Sequence, residues 1–528
     1  MHFKAFPSGR PLRWAITFTC QIAFIFFGYD QGVMSGLITN EHLLDTLGHP
    51  NDAQLGFMLS IYNLGCFTGC ILSWLIGDHT GRRNVIFISM AWIFVGASLQ
   101  TSAYGLPHLM VGRFVTGIGT GLETSTIPVY QSELCEASRR GRLVCSEIVF
   151  VGLGLVIGNV HLLALVVSSK GVNKHAAAFF DYGVVRVNGP LGWRLPVGFQ
   201  LFFAVIVTLM TLALPETPRF LYRKERNSEA LQVLCDIYDT NAEDEKVINE
   251  QRGILNALQV ESAAGEYSWA KLFKKDRVQT GKRVALAYGM QFMNQMGGIN
   301  LVVYYMPTVL QRNVGLSHDM SVLLSATRIN LMFLLGSLIP AFLADRIGRR
   351  TPMIVGSLGC GIAMMCISIL LSFIDSPVSH ATSIAGIAFF YMFMLIYGAT
   401  VACVPWAYVP EILPLHVRSK GSALAVSSNW IWNFFVVMIT PTLIGRLQWK
   451  AYLIFMCLNF AFVPIVYFCY PETANLSLEE VDLLYEQHGS SAITIARERQ
   501  RKIREEKEAI SETRMVEGLT VDHKAIAE

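Results

Sequence analysis

Charge is scarce in this chain. Only 15% of its 528 residues are Asp, Glu, Lys or Arg, where a soluble globular protein carries about a quarter. That shortage excludes an ordinary cytosolic enzyme, and the 52% hydrophobic content excludes a disordered chain. An excess of one sign is missing too. The formal net charge is +3, so no global basic field is available to hold a nucleic acid. Paired cysteines are also lacking. The eleven Cys are scattered, mostly within apolar runs (Cys20, Cys66, Cys70, Cys145, Cys360, Cys366, Cys457, Cys469), with no Cys-x-x-Cys and no His-bearing metal spacing. They read as small buried hydrophobes, and no metal or other cofactor is expected. What the chain does have is apolar length, with 32 Phe, 43 Gly and a mean hydropathy of +0.43. This composition is that of a membrane protein.

A membrane helix needs about 20 mostly apolar residues. Twelve such runs can be read, at 14–38, 55–76, 85–102, 107–128, 144–166, 194–214, 284–308, 321–344, 352–374, 384–409, 421–444 and 450–470. The polar stretch from Pro215 to Arg283 parts them six and six. The expected organisation is an N-terminus (1–13), a first six-helix half (14–214), a central helical segment (215–283), a second half (284–470) and a tail (471–528). The first run follows thirteen residues and ends in no small-residue cleavage site, so it is expected to be retained as a span. Lys and Arg set the orientation, because cytoplasmic loops hold the excess. With the N-terminus inside, the inside segments carry 33 of these residues and the outside loops 7. Both termini and the central segment are therefore expected in the cytoplasm. The tail alternates Arg and Glu from Arg497 to Glu508 and reads as a solvated helix or disorder, short for a signalling tail.

The two halves echo each other. Asp78-x-x-Gly81-Arg82-Arg83 follows the second span and Asp345-x-x-Gly348-Arg349-Arg350 the eighth. Glu133 leads to Arg140-Gly141 after the fourth span, and Glu411 leads to Arg418 and Gly421 after the tenth. Pro215-Glu216-Thr217 closes the sixth, and Pro471-Glu472-Thr473 the twelfth. Three signatures recurring in order, six spans apart, indicate internal duplication, and parallel halves with a site between them are a transporter architecture. The loop charges lie at helix ends on one membrane face, where Arg and carboxylate can pair across neighbouring helices and part when that face opens. Simple positive-inside anchoring is the alternative; duplication of the whole set favours a gate.

Further motifs fall inside the spans. Span one holds Gly28-Tyr29-Asp30-x-Gly32, and span four Gly112-Arg113 with Gly117, Gly119 and Gly121. Pro215-Glu216-Thr217-Pro218-Arg219 follows span six. Span seven carries Gln295-x-x-Gly298-Ile299-Asn300 and Tyr304-Tyr305, span ten Pro405-Trp406, and span eleven Asn429-Trp430-x-x-Asn433. In combination these resemble the sugar porter family of the major facilitator superfamily, of the fungal kind, over residues 14 to 480. The resemblance implies an all-α integral membrane fold of twelve helices in two pseudo-symmetric halves, alternating access, and a central site for a neutral sugar or polyol. It also departs from the family in places. The family's Gln pair in span five is Glu147-Ile148 here, the first Gln of the span-seven pair is Asn294, and a span-eight Asn falls on Phe333.

A sugar hydroxyl both donates and accepts, and amide side chains do the same. Gln291 and Gln295 share a face at i, i+4 with Asn300 near that side, and Asn429 and Asn433 repeat the spacing in span eleven. These five, with Tyr304 from the family motif, are the candidate sugar ligands; bonding to a neighbouring helix is the other reading of a buried amide. Trp406 is a candidate to stack on a sugar ring, or an interfacial anchor. The Gly117/Gly121 and Gly154/Gly158 rows have the spacing of close helix packing. Four ionisable residues fall within spans, where a charge is functional by default: Asp30, Arg113, Glu147 and Arg328. Asp30 and Arg113 lie at equal depth, natural partners that the family places near its coupling site. Glu147 and Arg328 stand on spans five and eight; their depths differ by about 8–9 Å at the helical rise, which argues against tight contact and leaves either free to meet a substrate.

The function expected from these residues is a secondary transporter that imports a monosaccharide or polyol with a proton, acting as a monomer in the lipid bilayer of the plasma membrane. A proton-independent uniporter, a sugar-acid carrier using Arg328 and a non-transporting sensor are the alternatives. No paired acids, nucleophile motif or metal spacing supports an enzyme.

Overall fold

The computed structural model describes residues 6–38, 40–135, 140–169, 191–264, 276–315, 321, 324–373, 379–414, 417–474, 476, 478–486 and 492–501. All twelve apolar runs are helical. Spans one to five are Arg10–Leu37, Asp52–Thr80, Arg82–Thr101, Leu106–Glu133 and Arg140–Ser169. Span six is Leu191–Gly198 with Gln200–Ala213, and span seven is Thr280–Met296 with Ile299–Val314. Span eight opens as a π-helical turn, Leu324–Ile329, and continues as Asn330–Ile347. Spans nine to twelve are Arg350–Leu371, Ser379–Ala399 with Val404–Ile412, Arg418–Leu447 and Ala451–Cys469.

Eight stretches of the described chain are long and apolar enough to cross a membrane by length and composition, the last of them, Lys420–Cys469, holding spans eleven and twelve. The spans outside that set are four, seven and eight, each for a local reason. Span four carries Arg113, Glu123 and a run of Gly and Thr. Span seven is broken in its middle, and span eight has a shorter apolar helix, Asn330–Leu343.

The helix packing repeats with the sequence. Span one packs on five, two on four, three on four and three on six; likewise seven packs on eleven, eight on ten, nine on ten and nine on twelve. Adding six to each member of the first set gives the second. The sets meet at spans two with eleven and five with eight, pairs that exchange under the same displacement.

Glycines set how closely these helices lie. A Cβ on Gly117 would stand 2.2 Å from the Tyr62 carbonyl oxygen, and one on Gly121 2.1 Å from that of Cys66, so span four lies directly on the backbone of span two. Gly28 and Gly154 do the same between spans one and five, at 2.0 Å from Val151 O and 2.1 Å from Ile25 O. The small-residue rows are packing seams, as their spacing implied. Gly121→Ala is expected to lower folding stability by about 1–3 kcal/mol through overpacking, seen as a lower melting temperature of the detergent-purified protein. A melting temperature equal to wild type would show that spans two and four can move apart freely.

Among the described residues the central segment forms three helices, Pro218–Arg223, Asn227–Tyr238 and Glu245–Ala264, with Ile237 and Val247 buried. The N-terminus docks on them, since Gly9 N donates to Asp236 O at 2.7 Å and Ser8 Oγ to Asp236 Oδ1 at 3.1 Å. The described part of the tail holds two helices. Helix Leu478–Glu486 docks on the start of span seven, where fully buried Arg283 pairs with Asp482 at 2.6 Å and lies 5.0 Å over the Tyr485 ring. Residues 492–501 form another helix, with Ala496 buried. Ala492, Ile495 and Ala496 form an apolar stripe just before the Arg/Glu alternation, whose described residues 497–501 are mostly exposed, as a solvated helix requires. Residues 502–528 lie outside the described part.

Candidate functional site

The break in span seven builds the centre of the site. Gly298 sits at φ +95°, a left-handed conformation that ends one helix and starts the next. Gln295 therefore closes the first helix and Asn300 opens the second. Asn300 Nδ2 donates to Gln295 Oε1, and Gln295 Nε2 donates to Asn429 Oδ1 at 2.7 Å and Asn294 Oδ1 at 3.0 Å. Asn294 Nδ2 reaches Val401 O, 3.0 Å away, at the break in span ten. A turn further along span eleven, Asn433 Oδ1 accepts from Asn63 Nδ2 of span two at 2.9 Å. The amides thus tie span seven to eleven, and eleven to two.

Two members of this region are buried without partners. Gln291 is 0% exposed, and neither its oxygen nor its nitrogen has a hydrogen-bond partner among the described residues. The Tyr304 hydroxyl is in the same state. Leaving such a group unmade costs about 1–3 kcal/mol, which a ligand hydroxyl can return. Trp406 stands half-buried on the short helix after the break in span ten.

The depth argument for Asp30 and Arg113 holds in the structure. Both are 0% exposed, and Arg113 Nη1 donates to both carboxylate oxygens of Asp30 at 3.1 Å. Gln200 Nε2 of span six adds a third bond to Asp30 Oδ1 at 2.8 Å. The guanidinium lies 4.5 Å from the Tyr62 ring centroid, while its Nε and Nη2 have no hydrogen-bond partner among the described residues. One nitrogen, not the two-pronged fork, holds the carboxylate, a looser attachment than Arg can make. Packed rings lead from here to the amides. Tyr62 meets Trp430 edge-on at 6.4 Å, and Trp430 meets Phe27 edge-on at 5.4 Å.

Glu147 is buried with Oε1 unpartnered, whereas Arg328 is exposed on the π-helical turn, and no ion pair joins them among the described residues. A further buried acid went unread in the sequence. Glu123 of span four is 1% exposed and neither oxygen has a hydrogen-bond partner among the described residues.

The repeated loop signatures form two copies of one arrangement. In the first, Glu216 Oε1 and Oε2 accept from the backbone N–H groups of Arg82 and Arg83 at 3.1 Å each, capping the start of span three. In the second, Glu472 accepts from Arg349 N at 2.9 Å and Arg350 N at 3.0 Å, capping span nine. The glycine of each motif, Gly81 at φ +89° and Gly348 at φ +83°, leaves room that a Cβ would fill, 2.5 Å from Glu216 and 2.6 Å from Glu472. So the Pro-Glu-Thr carboxylate serves as a helix cap supplied from another span. Burial pushes the Glu216 carboxyl up from the ordinary range, against the N–H groups of Thr217 and Arg83. The side chains pair as well. Arg82 Nε lies 3.5 Å from Glu133, and Arg349 Nη2 lies 3.0 Å from Glu411, at the matching place. Tyr130 donates to Pro215 O at 2.7 Å and Tyr408 to Pro471 O at 3.0 Å. Arg83 and Arg350 reach backbone oxygens of spans six and twelve, Leu212 and Tyr467. Arg418 opens span eleven half-buried. The side chains of Asp78, Arg140 and Asp345 lie outside the described residues.

A family model described as sugar (and other) transporter matches residues 16–485. The chain belongs to this sugar transporter family. It is 36% identical to the MFS-type transporter oryC of Aspergillus oryzae, over 92% of this chain and 88% of that one. It is 32% identical to the sugar transporter STL1 of Saccharomyces cerevisiae, over 90% of this chain and 82% of the relative. Among solved structures, the proton:xylose symporter XylE bound to 6-bromo-6-deoxy-D-glucose matches with a TM-score of 0.72 at 22% identity, over 90% of this chain and 99% of that one. The likeness shows the major facilitator fold, with its twelve helices. The protein is thus a multi-pass membrane transporter of this superfamily and not an enzyme.

In this transporter the fold brings Gln295, Asn300 and Asn429 together. Residue spacing missed Asn63, Gln200 and Glu123. The signal for Asn63 and Gln200 was a single polar residue in an apolar run.

Proposed function

We propose that the protein imports a monosaccharide, hexose or pentose, or a polyol together with a proton, by alternating access. The observation that carries this reading is the buried amide cluster of spans seven and eleven, with Gln291 and Tyr304 unsatisfied beside it. Groups that donate and accept without formal charge suit a neutral polyhydroxyl ligand. Gln291, Gln295, Asn300, Tyr304, Asn429 and Asn433 are the ligands in this reading, with Trp406 against the ring. The relative named a sugar transporter and the neighbour solved with a halogenated glucose support the substrate class. Exposure of Arg328 leaves a sugar acid no buried cation among the described residues of span eight.

Asp30 carries the proton. The nearby Arg113 favours the carboxylate, and substrate or helix motion that draws the guanidinium away removes that support, so that Asp30 then takes a proton more readily. The neighbour described as a proton:xylose symporter supports this coupling. Residues 14–214 and 284–470 act as the two moving halves, joined by 215–283 and followed by the tail 471–528, with both termini in the cytoplasm of a plasma-membrane protein that works as a monomer. The test is uptake of labelled hexoses, pentoses, polyols and sugar acids in a transporter-deficient yeast. Uptake of a neutral sugar or polyol is the expected result; uptake of sugar acids alone, or signalling without uptake, would overturn it.

The Arg82–Glu133 and Arg349–Glu411 pairs form the cytoplasmic gate in this reading. Arg349→Gln leaves Glu411 without its cation, and breaking such a pair costs about 3–5 kcal/mol in the state that contains it. Transport rate is expected to fall at least about tenfold, while equilibrium sugar binding in detergent changes less than about twofold. Loss of binding with an unchanged rate would place Arg349 in the sugar site instead.

A further inference from the structure

Two arginines from distant parts of the chain lay their guanidiniums on one aromatic ring. Arg350 opens span nine and Arg497 stands in the tail helix 492–501, yet they lie 4.8 Å and 5.2 Å from the centroid of the Tyr467 ring, at the end of span twelve. The ring favours each cation, but two like charges on one side chain repel. Among the described residues no carboxylate forms an ion pair with either. Glu472 is taken up by the backbone N–H groups of Arg349, Arg350 and Thr473, and exposed Glu498 is next to Arg497 in the helix, on another face. The tail helix is fixed in place, since Arg499 Nε donates to Glu480 Oε1 at 3.1 Å and Gln500 Nε2 to Ala474 O at 2.5 Å.

The first half supplies a comparison within the same chain. Arg83 holds the place of Arg350, and backbone meets its guanidinium twice, Nε donating to Thr211 O at 3.1 Å and Nη2 to Leu212 O at 2.9 Å. Arg350 keeps one such bond, from Nη2 to Tyr467 O, and its Nε has no hydrogen-bond partner among the described residues. Arg83 lies alone over its ring, Phe87, at 5.7 Å among the described residues. The second copy thus holds an extra cation and an unused donor. Beside them the outer face of span twelve is bare and apolar, with Phe468 70% exposed and Ile465, one turn back, 44%.

We propose that Arg350 and Arg497 at the Tyr467 ring hold the headgroup of an anionic phospholipid, with an acyl chain along the Ile465–Phe468 face of span twelve. The phosphate accepts from the two guanidiniums, a pairing that suits their planar donors, and its charge offsets their repulsion. The apolar face supplies what a free phosphate cannot use. Anionic lipid is abundant in the cytoplasmic leaflet, which this end of spans nine and twelve meets in the orientation proposed above. Bound there, the lipid joins span nine, span twelve and the tail.

The test incubates the detergent-purified full chain with equal amounts of phosphatidylserine and phosphatidylcholine and counts the lipid retained by native mass spectrometry. Wild type is expected to retain phosphatidylserine at least about fivefold over phosphatidylcholine. Arg497→Gln is expected to cut that preference about fivefold, the worth of one basic residue at an anionic surface. Arg252→Gln makes the same change of charge at an exposed position of helix Glu245–Ala264, and is expected to keep the preference within about twofold, because a remote charge is screened. Millimolar inorganic phosphate is expected to leave phosphatidylserine bound. Equal retention of the two lipids by wild type overturns the site. A preference that survives in Arg497→Gln, or falls as far in Arg252→Gln, places the lipid elsewhere and overturns it as well. Displacement by inorganic phosphate overturns the lipid as occupant and leaves an ordinary phosphate site. Lipid is counted here and not sugar, so failure of the transport reading would leave this result standing.

Discussion

Asp30→Asn is expected to abolish uphill accumulation and sugar-induced alkalinisation of the medium, while downhill exchange of sugar continues. Asparagine keeps the shape and can still accept from Arg113 and Gln200, so the packing of spans one, four and six survives. What it cannot do is take up and release a proton. Each proton moving down 100 mV supplies about 2.3 kcal/mol, enough to hold sugar about fifty-fold concentrated. That whole gradient should vanish in the variant. The pair is suited to such a cycle because Arg113 engages Asp30 through one nitrogen, a looser attachment than its two-pronged fork would make. If Asp30→Asn still concentrates sugar, Asp30 and Arg113 are a static brace between spans one and four.

The second large effect belongs to the break in span seven. Gln295→Ala removes the hub that joins Asn300, Asn294 and Asn429, and Asn300→Ala removes one arm of it. Apparent affinity for the transported sugar is expected to weaken by about 1–3 kcal/mol in either variant, because a polar partner is left unsatisfied in the bound state. Expression and targeting should survive, since the helices on both sides of Gly298 keep their own backbone bonds. Asn63→Ala is the informative comparison. It cuts the bond from span two to Asn433 and should change the rate more than the affinity. Unchanged affinity in both Gln295→Ala and Asn300→Ala would assign the amides to structure alone.

Much of this was legible in the residues. Twelve apolar runs, the duplicated loop charges and the depth match of Asp30 and Arg113 follow from hydropathy, spacing and the 1.5 Å rise. The amides of spans seven and eleven were legible because they recur at i, i+4. Other features leave no such trace. Gln200 and Asn63 each stand alone in an apolar run, and one polar residue has no period, while Glu123 is lost among the Gly and Thr of span four. The break at 400–403 is invisible to hydropathy, since Val401, Ala402 and Cys403 continue the apolar run across it. Pro-Glu-Thr could be counted as a repeat, but not understood as one. Its role depends on a carboxylate meeting the start of a helix more than a hundred residues away in the chain.

Energised cells or proteoliposomes with an inward proton gradient offer the most direct measurement, the steady-state ratio of labelled sugar inside to outside, with and without a protonophore. Accumulation well above equilibration that collapses to equality on adding the protonophore, and is absent in Asp30→Asn, is the expected result. A ratio that never exceeds equality and ignores the protonophore would contradict proton coupling and leave a facilitative uniporter.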